Sequence, residues 1–121
     1  MIIGLGTDII EIARVRKAVG KKIFRDNVFT EIEQAYCESR GSHSAASYAA
    51  RFAAKEAFFK ALGTGIITNL LDVEVVNDGR GAPKINLRGK AKILADEKCV
   101  VKISLSLSHS RDFATATCVI E

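Results

Sequence analysis

The stretch from Ala45 to Leu62 constrains the fold more than any other part of this sequence. It is rich in alanine and contains neither glycine nor proline, so it predicts one long helix. Ser42 or Ser44 can cap the start of that helix, and Gly63 supplies a C-terminal stop. The other elements are therefore expected to pack against a long central helix.

Shorter elements are predicted before this helix. The apolar, β-branched segment over 2–10 indicates a buried strand that ends near Thr7 or Asp8. Apolar residues at helical spacing then indicate a short amphipathic helix. Its cationic residues are Arg14, Arg16, Lys17, Lys21 and Lys22. A T-x-x-E capping box at positions 30–33 predicts a helix over 31–39.

The second half of the chain has the pattern of antiparallel strands. Strands are predicted at 72–76, 83–87, 101–107 and 113–120, and a short helix at 90–98. The pattern predicts an α+β fold in a single domain over residues 1–121, with an antiparallel sheet against the long helix and shorter helices. A domain of this size buries a modest core, so a second subunit could be needed to complete a deep cleft.

Composition narrows the class of protein and of partner. The net charge of +4 and the pI of about 9.1 favour an acidic partner, such as nucleic acid, an anionic membrane, a phosphorylated ligand or an acidic protein. Three cysteines without a C-x-x-C pair argue against a disulfide framework or a zinc site. Neither a signal peptide nor an apolar run of membrane-spanning length is visible, so we expect a reduced, cytoplasmic protein.

Two acidic residues stand out because of their surroundings. Asp8 lies between two pairs of isoleucines, where a charge is costly unless it is paired or bound to a metal. A helix cap is the more common role for such an aspartate. Glu56 and Lys60 share one face of the long helix, and phenylalanines flank Glu56, which therefore needs a partner. An ordinary surface Glu–Lys pair explains the same spacing.

Three further features could bind an anionic ligand, and each also has a simpler interpretation. Arg51 shares a helix face with Lys55, and such a face is usually solvated. Gly63 and Gly65 would let a ligand approach the backbone but also end the helix, and they do not form a P-loop. His109 at a strand end could bind phosphate or belong to a surface turn. A hydrolase is disfavoured because no G-x-S-x-G elbow is present.

Together these residues indicate a class of chemistry. Two carboxylates plus substrate phosphates are the usual way in which proteins hold Mg²⁺. Asp8 and Glu56 supply such a pair, and Lys60 lies one helical turn from Glu56. The residues alone point to a magnesium-dependent enzyme that acts on a phosphorylated ligand, without identifying that ligand.

Three motifs follow one another along the chain. They are G-L-G-T-D-I at 4–9, R-F-A-A-K-E-A at 51–57 with its continuation to G-T-G at 63–65, and S-L-S-H-S at 106–110. They resemble the opening, central and closing motifs of the holo-acyl-carrier-protein synthases, the small homotrimeric class of 4'-phosphopantetheinyl transferases. The resemblance covers essentially the whole chain, and the central motif is the most specific of the three.

This resemblance implies a fold, an activity and partners. The fold would be that of the 4'-phosphopantetheinyl transferases, with active sites at the subunit interfaces of a homotrimer. The enzyme would move phosphopantetheine from coenzyme A to a serine of acyl carrier protein, with Mg²⁺ as cofactor and adenosine 3',5'-bisphosphate as by-product. The pathway would be fatty-acid biosynthesis, and neither nucleic acid nor a membrane is an expected partner.

The resemblance also implies roles for individual residues. Asp8 and Glu56 would bind magnesium, and Lys60 would stabilise or protonate the leaving bisphosphate. Coenzyme A would be bound by Arg51, Gly63, Gly65 and His109, and by Pro83 in a loop from a neighbouring subunit. Arg14 and its basic neighbours would dock the acidic carrier protein. Glu56, Asp8 and a metal-bound water are alternative general bases, and Glu11 is a further candidate near the metal.

Two other functions stay open at the level of sequence. A domain that binds coenzyme A or a similar nucleotide without chemistry could lose Asp8, Glu56 and Lys60, which are present here. A small basic protein that binds nucleic acid would leave Asp8 and Glu56 unexplained, and its binding would depend steeply on salt.

Overall fold

The computed structural model describes residues 1–121 as an α+β fold, as the sequence predicts. The helices are α1 (Ile12–Val19), α2 (Lys22–Val28), α3 (Glu31–Glu38), α4 (Ser44–Leu62) and α5 (Gly89–Glu97). The strands are β1 (Gly4–Glu11), β2 (Val73–Asn77), β3 (Pro83–Leu87), β4 (Ile103–His109) and β5 (Phe113–Ile120). Short 3₁₀ turns at Gly41–His43 and Leu70–Asp72 precede α4 and β2.

The strands form two antiparallel sheets. The larger sheet has the order β1-β5-β4, so the last strand of the described chain lies in its centre, and β2 and β3 form a separate hairpin. Asp8 of β1 pairs with Ala116 of β5, which pairs in turn with Leu107 of β4. The helix α4 packs across one face of the larger sheet and also contacts α1, α3 and β2. This helix therefore has the larger sheet on one side, and other faces of it contact α1, α3 and β2.

Glycines in β1 permit an unusually close contact with α4. A Cβ atom built on Gly4 would lie 1.9 Å from the carbonyl oxygen of Ala61, and one built on Gly6 would lie 1.9 Å from that of Ala57. Alanines at 53, 57 and 61 line the same face of α4 and are at least nine-tenths buried. The small alanine side chains of α4 thus pack against a strand whose glycines have no side chains at the points of contact.

Most of the predicted elements are confirmed. The helix α4 ends at Leu62, and Gly63 caps it with a φ of 80°, the left-handed conformation that favours glycine. Both hydrogen bonds of the capping box between Thr30 and Glu33 are present. Three differences concern these elements. Neither Ser42 nor Ser44 caps α4, because His43 occupies the N-cap position and no side-chain hydrogen bond caps the helix. The strand β1 continues past Asp8 to Glu11, because the ladder with β5 continues to Phe113. The helix α2 was not expected, since its start has no side-chain cap to signal it.

The expected solvated face at Arg51 and Lys55 is wrong, because both side chains are buried. The ammonium group of Lys55 donates to Oε1 of Glu33 at 2.8 Å and to the carbonyl oxygens of Leu70 and Val73 at 3.0 and 2.8 Å. Burial lowers the pKa of Lys55, while the charge of Glu33 acts in the opposite direction. This ion pair ties α3 and the start of β2 to the middle of α4.

Other expectations concern redox state and membranes. Cys37, Cys99 and Cys118 are free thiols, in agreement with the absence of a disulfide framework. Burial raises the pKa of Cys37 and of Cys118 to about 12, so neither is a reactive thiolate. None of the helices combines the length and the apolar character needed to cross a membrane.

The buried ion pair generates a stability prediction. In a Lys55→Met variant the carboxylate of Glu33 would stay buried without its counter-ion, so we expect the free energy of unfolding to fall by about 3–5 kcal/mol. Lys22 forms an exposed pair with Asp26 and serves as the control, since its side chain is 79% exposed. Urea unfolding of both variants measures the difference, and equal effects of Lys55→Met and Lys22→Met would contradict the assignment.

Candidate active site

Asp8 lies on the face of β1 that meets α4, and only 8% of the residue is exposed. Its Oδ1 atom accepts a hydrogen bond from the ammonium of Lys60 at 3.0 Å, while its Oδ2 atom is buried without a partner. The helix-cap interpretation is wrong, because Glu11 occupies the N-cap position of α1. A half-paired buried carboxylate is costly, so a ligand for the free oxygen is expected.

Glu56 projects from α4 toward the same carboxylate. Its pKa is raised, first because burial disfavours the charged form and then because the negative charge of Asp8 does the same. The charges of Lys60 and Arg14 oppose this shift. Two acidic groups in contact repel each other when both are ionised, so the arrangement favours a bound cation.

Lys60 forms its ion pair with Asp8, and not with Glu56 as the simple surface-pair interpretation expected. Its ammonium group donates to Oδ1 of Asp8 and to the carbonyl oxygen of Thr7, both at 3.0 Å. The side chain is 52% exposed, so the ammonium can also reach a ligand in solvent. The positive charge of Lys60 therefore lies on the solvent side of the carboxylate pair, where it could contact a phosphate.

These residues fit a magnesium ion of the kind that substrate phosphates help to hold. The free Oδ2 atom of Asp8 and the carboxylate of Glu56 offer two oxygen donors in contact, and Mg²⁺ is often bound through one or two carboxylates plus phosphates. No group of three or more histidine, cysteine or acidic side chains is placed to hold a metal alone. Glu11 does not join the pair, because it lies three residues from Asp8 and faces the other side of β1.

Arg14 is exposed on α1 at the edge of this group. Its charge is near enough to lower the pKa of Glu56. Arg16 and Lys17 continue the positive charge along the same helix, in its last turn. A negatively charged partner that docks on α1 would therefore lie beside the carboxylates.

Arg51 lies on the other side of α4. Nine residues separate it from Lys60, which at about 100° per residue places the two side chains on opposite sides of the helix. The guanidinium donates from NH2 to Oδ1 of Asn77 at 2.7 Å, and its carbon lies 4.1 Å from the centre of the Tyr36 ring. Its Nε atom is buried without a partner.

His109 is exposed at the end of β4, on the same side as Arg51. Its ring centre lies 6.4 Å from that of His43, and both histidines line a cavity of about 240 Å³ with Arg51 and Tyr36. Sequence reasoning gave His43 no role and did not single out Tyr36, because no local pattern marks either residue. The structure thus places two further aromatic side chains, those of Tyr36 and His43, beside Arg51 and His109.

The predicted glycines lie in the turn after α4, and the predicted proline directly follows the hairpin turn. Gly63 and Gly65 both have positive φ, 80° and 65°, and nothing would contact a Cβ atom at either position. Pro83 begins β3, directly after the turn that joins the hairpin strands. In that turn Oδ1 of Asp78 accepts hydrogen bonds from the backbone of Arg80 and Ala82.

Most of the predicted site residues therefore form two separate groups within one chain, and Gly63, Gly65 and Pro83 belong to neither. The carboxylate group contains Asp8, Glu56 and Lys60, with Arg14 at its edge. The arginine group contains Arg51, His109, Tyr36, His43 and Asn77. A groove of about 440 Å³ between β3, α5 and β4 contains none of the predicted residues.

Comparison with known protein families gives a match over nearly the whole chain. The model of the 4'-phosphopantetheinyl transferase superfamily matches residues 4–118. Among curated proteins, the chain is similar to the holo-[acyl-carrier-protein] synthase of Ruminiclostridium cellulolyticum. The two are 49% identical over 120 residues, which cover 96% of this chain and 90% of the relative.

Comparison with solved structures also gives holo-acyl-carrier-protein synthases as similar proteins. A holo-(acyl-carrier-protein) synthase from Bacillus anthracis, in complex with CoA (3',5'-ADP), superposes with a TM-score of 0.81 at 39% identity, covering 99% of this chain and 96% of that one. The holo-[acyl-carrier-protein] synthase of Neisseria meningitidis superposes with a TM-score of 0.89 at 32% identity, covering 100% and 99% of the two chains.

The contact between the two carboxyl groups can be tested without any substrate. In an Asp8→Asn variant we expect the pKa of Glu56 to fall toward its ordinary value, because one of the causes that raise it is removed while burial remains. Carbon-13 NMR titration of the glutamate carboxyl groups measures this. Asp78→Asn in the hairpin turn is the matched control, and an unchanged Glu56 pKa in the Asp8 variant would refute the contact.

Proposed function

Because the chain belongs to the 4'-phosphopantetheinyl transferase superfamily, we propose that it transfers the 4'-phosphopantetheine group of coenzyme A to a serine hydroxyl of an acyl carrier protein. The observation that carries this proposal is the contact of Asp8 and Glu56 beside Lys60. A protein that only bound coenzyme A would have no need for a buried carboxylate with an unpaired oxygen. The names of the relatives point to the same activity.

The proposed reaction is a phosphoryl transfer. The serine oxygen forms a bond to the phosphorus atom that bears the pantetheine arm, and the bond from that phosphorus to the bridging oxygen of the diphosphate breaks. Adenosine 3',5'-bisphosphate leaves with the bonding electrons, and the serine proton passes to a base. Asp8 and Glu56 are the carboxylates in the site that could receive it.

Asp8 and Glu56 are the residues that would hold Mg²⁺, through the donor oxygens that the structure brings together. When bound, the ion would neutralise negative charge on the diphosphate and on the transferring phosphoryl group. Lys60 would orient Asp8 through its hydrogen bond and place a positive charge near the leaving bisphosphate.

The arginine group is proposed to bind the rest of coenzyme A from a neighbouring copy of the chain. Arg51 and Lys60 lie on opposite sides of α4, so one chain does not bring all the predicted residues around one ligand. A homotrimer with sites at its interfaces would join the carboxylate group of one subunit to Arg51, His109 and Pro83 of the next. Gly63 and Gly65 would let the ligand approach the backbone after α4.

The outer face of the larger sheet supports such an assembly. It carries Leu5 and Ile9 of β1, which are 64% and 63% exposed, and Phe113 of β5, which is 44% exposed. Threonines and serines fill the positions between them, and no charged side chain other than Glu11 lies on this face of β1. Exposed apolar residues on one sheet face are typical of a subunit contact.

The basic helix α1 is proposed to dock the acidic carrier protein. Arg14 lies at the edge of the carboxylate group, so a carrier bound on α1 could present its serine there. Steering by such charges weakens as salt screens them. We also propose that the enzyme acts in the cytoplasm and in fatty-acid biosynthesis, the setting that the family resemblance implies.

Intact mass spectrometry tests the proposed function. After incubation with this protein, coenzyme A and Mg²⁺, apo acyl carrier protein should gain the mass of one phosphopantetheine, and a chelator should prevent the gain. Asp8→Ala and Glu56→Ala should abolish transfer, whereas Asp96→Ala on the exposed side of α5 should not. A folded protein that modifies none of several carrier proteins would contradict the proposal, and normal turnover in either site variant would refute the metal assignment.

Reversal of one charge on α1 tests carrier docking separately. In an Arg14→Glu variant the KM for carrier protein should rise at least tenfold at low salt, because attraction becomes repulsion, while the KM for coenzyme A should change much less. Steady-state kinetics with each substrate varied in turn measures both constants. Lys90→Glu on α5 is the control for net charge, and equal changes in the two KM values for Arg14→Glu would contradict a docking role.

A further inference from the structure

Arg51 differs from the other buried cation of this protein in having no acidic partner. Lys55 is neutralised by Glu33, whereas none of the five ion pairs in the chain involves Arg51. Only 4% of Arg51 is exposed, and its Nε atom is buried without a hydrogen bond. A buried positive charge without an acidic partner is costly unless a bound anion pairs with it.

Two neutral groups hold the guanidinium in place. The ring of Tyr36, on α3, lies under it with 4.1 Å between the guanidinium carbon and the ring centre. The amide oxygen of Asn77, at the end of β2, accepts a hydrogen bond from NH2 at 2.7 Å. The ring restricts the plane of the guanidinium, and the amide restricts its rotation within that plane.

Asn77 also connects Arg51 to the turn of the hairpin. Its Nδ2 atom donates to the carbonyl oxygen of Gly81 at 3.4 Å, within the turn in which Oδ1 of Asp78 accepts hydrogen bonds from the backbone N–H groups of Arg80 and Ala82. The guanidinium and the turn before Pro83 are therefore held in one arrangement by a single side chain.

The chemical nature of these partners matters as much as their positions. A carboxylate at position 77 would hold the guanidinium equally well, but it would neutralise the charge and compete with an anionic ligand. An amide and an aromatic ring orient the guanidinium and leave its positive charge available. This combination suits an arginine that is ordered before its ligand arrives.

We propose that Tyr36 and Asn77 are positioning residues that hold Arg51, which forms no ion pair with a carboxylate, in the orientation in which it binds a phosphate group of coenzyme A. This inference rests on the proposed function, since it deepens the role of Arg51 in the same site. Neither residue needs to touch coenzyme A, and both act through Arg51.

Kinetics of variants that keep the fold test the proposal. Asn77 is exposed and Tyr36 half-buried, so variants at either position are expected to stay folded, with a modest loss of stability from the partner that Arg51 loses. Asn77→Ala and Tyr36→Leu should each raise the KM for coenzyme A on the order of tenfold, the usual effect of removing a partner of a charged group. The kcat and the KM for carrier protein should change little.

Conservative variants separate positioning from a purely structural role. Tyr36→Phe keeps the ring and should retain the wild-type KM for coenzyme A. Asn77→Asp keeps the acceptor oxygen but adds a charge, so it should raise that KM while it preserves or increases stability. A structural role alone predicts that Asn77→Asp is harmless. Asn86→Ala is the matched control, because Asn86 is an exposed asparagine in the same hairpin that makes no hydrogen bond with Arg51.

The outcomes distinguish this inference from the proposed function. A wild-type protein that transfers no phosphopantetheine would contradict the proposed function. An active wild type whose Asn77→Ala and Tyr36→Leu variants keep the same KM for coenzyme A would overturn the positioning role alone. An Asn77→Asp variant with an unchanged or lower KM would overturn it as well. If Tyr36→Leu fails to fold, the two Asn77 variants decide the question.

Discussion

The contact between α4 and β1 is the constraint on which the rest of the structure depends. Gly4 and Gly6 leave room for the carbonyl oxygens of α4 where side-chain atoms would otherwise lie. Asp8 follows Gly6 on the same face of the strand, so this contact also sets how near Asp8 comes to Glu56 and Lys60. Packing and chemistry therefore depend on one close approach, and a larger residue at Gly6 would disturb both.

The buried charges of the protein fall into two kinds, and the difference is informative about function. Lys55 and Glu33 neutralise each other and use their remaining hydrogen-bonding capacity on the backbone, so they hold elements together. Arg51 and Asp8 each keep a buried polar atom without a partner. Incomplete pairing at a buried charge marks a place where a ligand is expected, whereas complete pairing marks a structural role.

Sequence reasoning predicted the elements whose signals are local. The alanine-rich segment that ends before Gly63 and the capping box at Thr30 are local signals, so α4 and α3 were predicted within a few residues. The burial of Lys55 depends on Glu33, 22 residues away, and that of Arg51 on Asn77, 26 residues away, so the helix face was misjudged. Residue types suggested a magnesium-binding role for Asp8 and Glu56, and family resemblance specified it, but nothing local in the sequence shows that the two residues meet.

The position of β5 between β1 and β4 has a consequence for synthesis of the chain on the ribosome. The strand that carries Asp8 is made early, yet its partner in the sheet lies more than 100 residues later, as the Thr7 to Ala116 hydrogen bond with its separation of 109 residues shows. Contacts between residues so far apart in sequence form late and slowly. The apolar strand β1 therefore stays unpaired until β5 has left the exit tunnel. During this interval a nascent chain of this kind is most prone to aggregation.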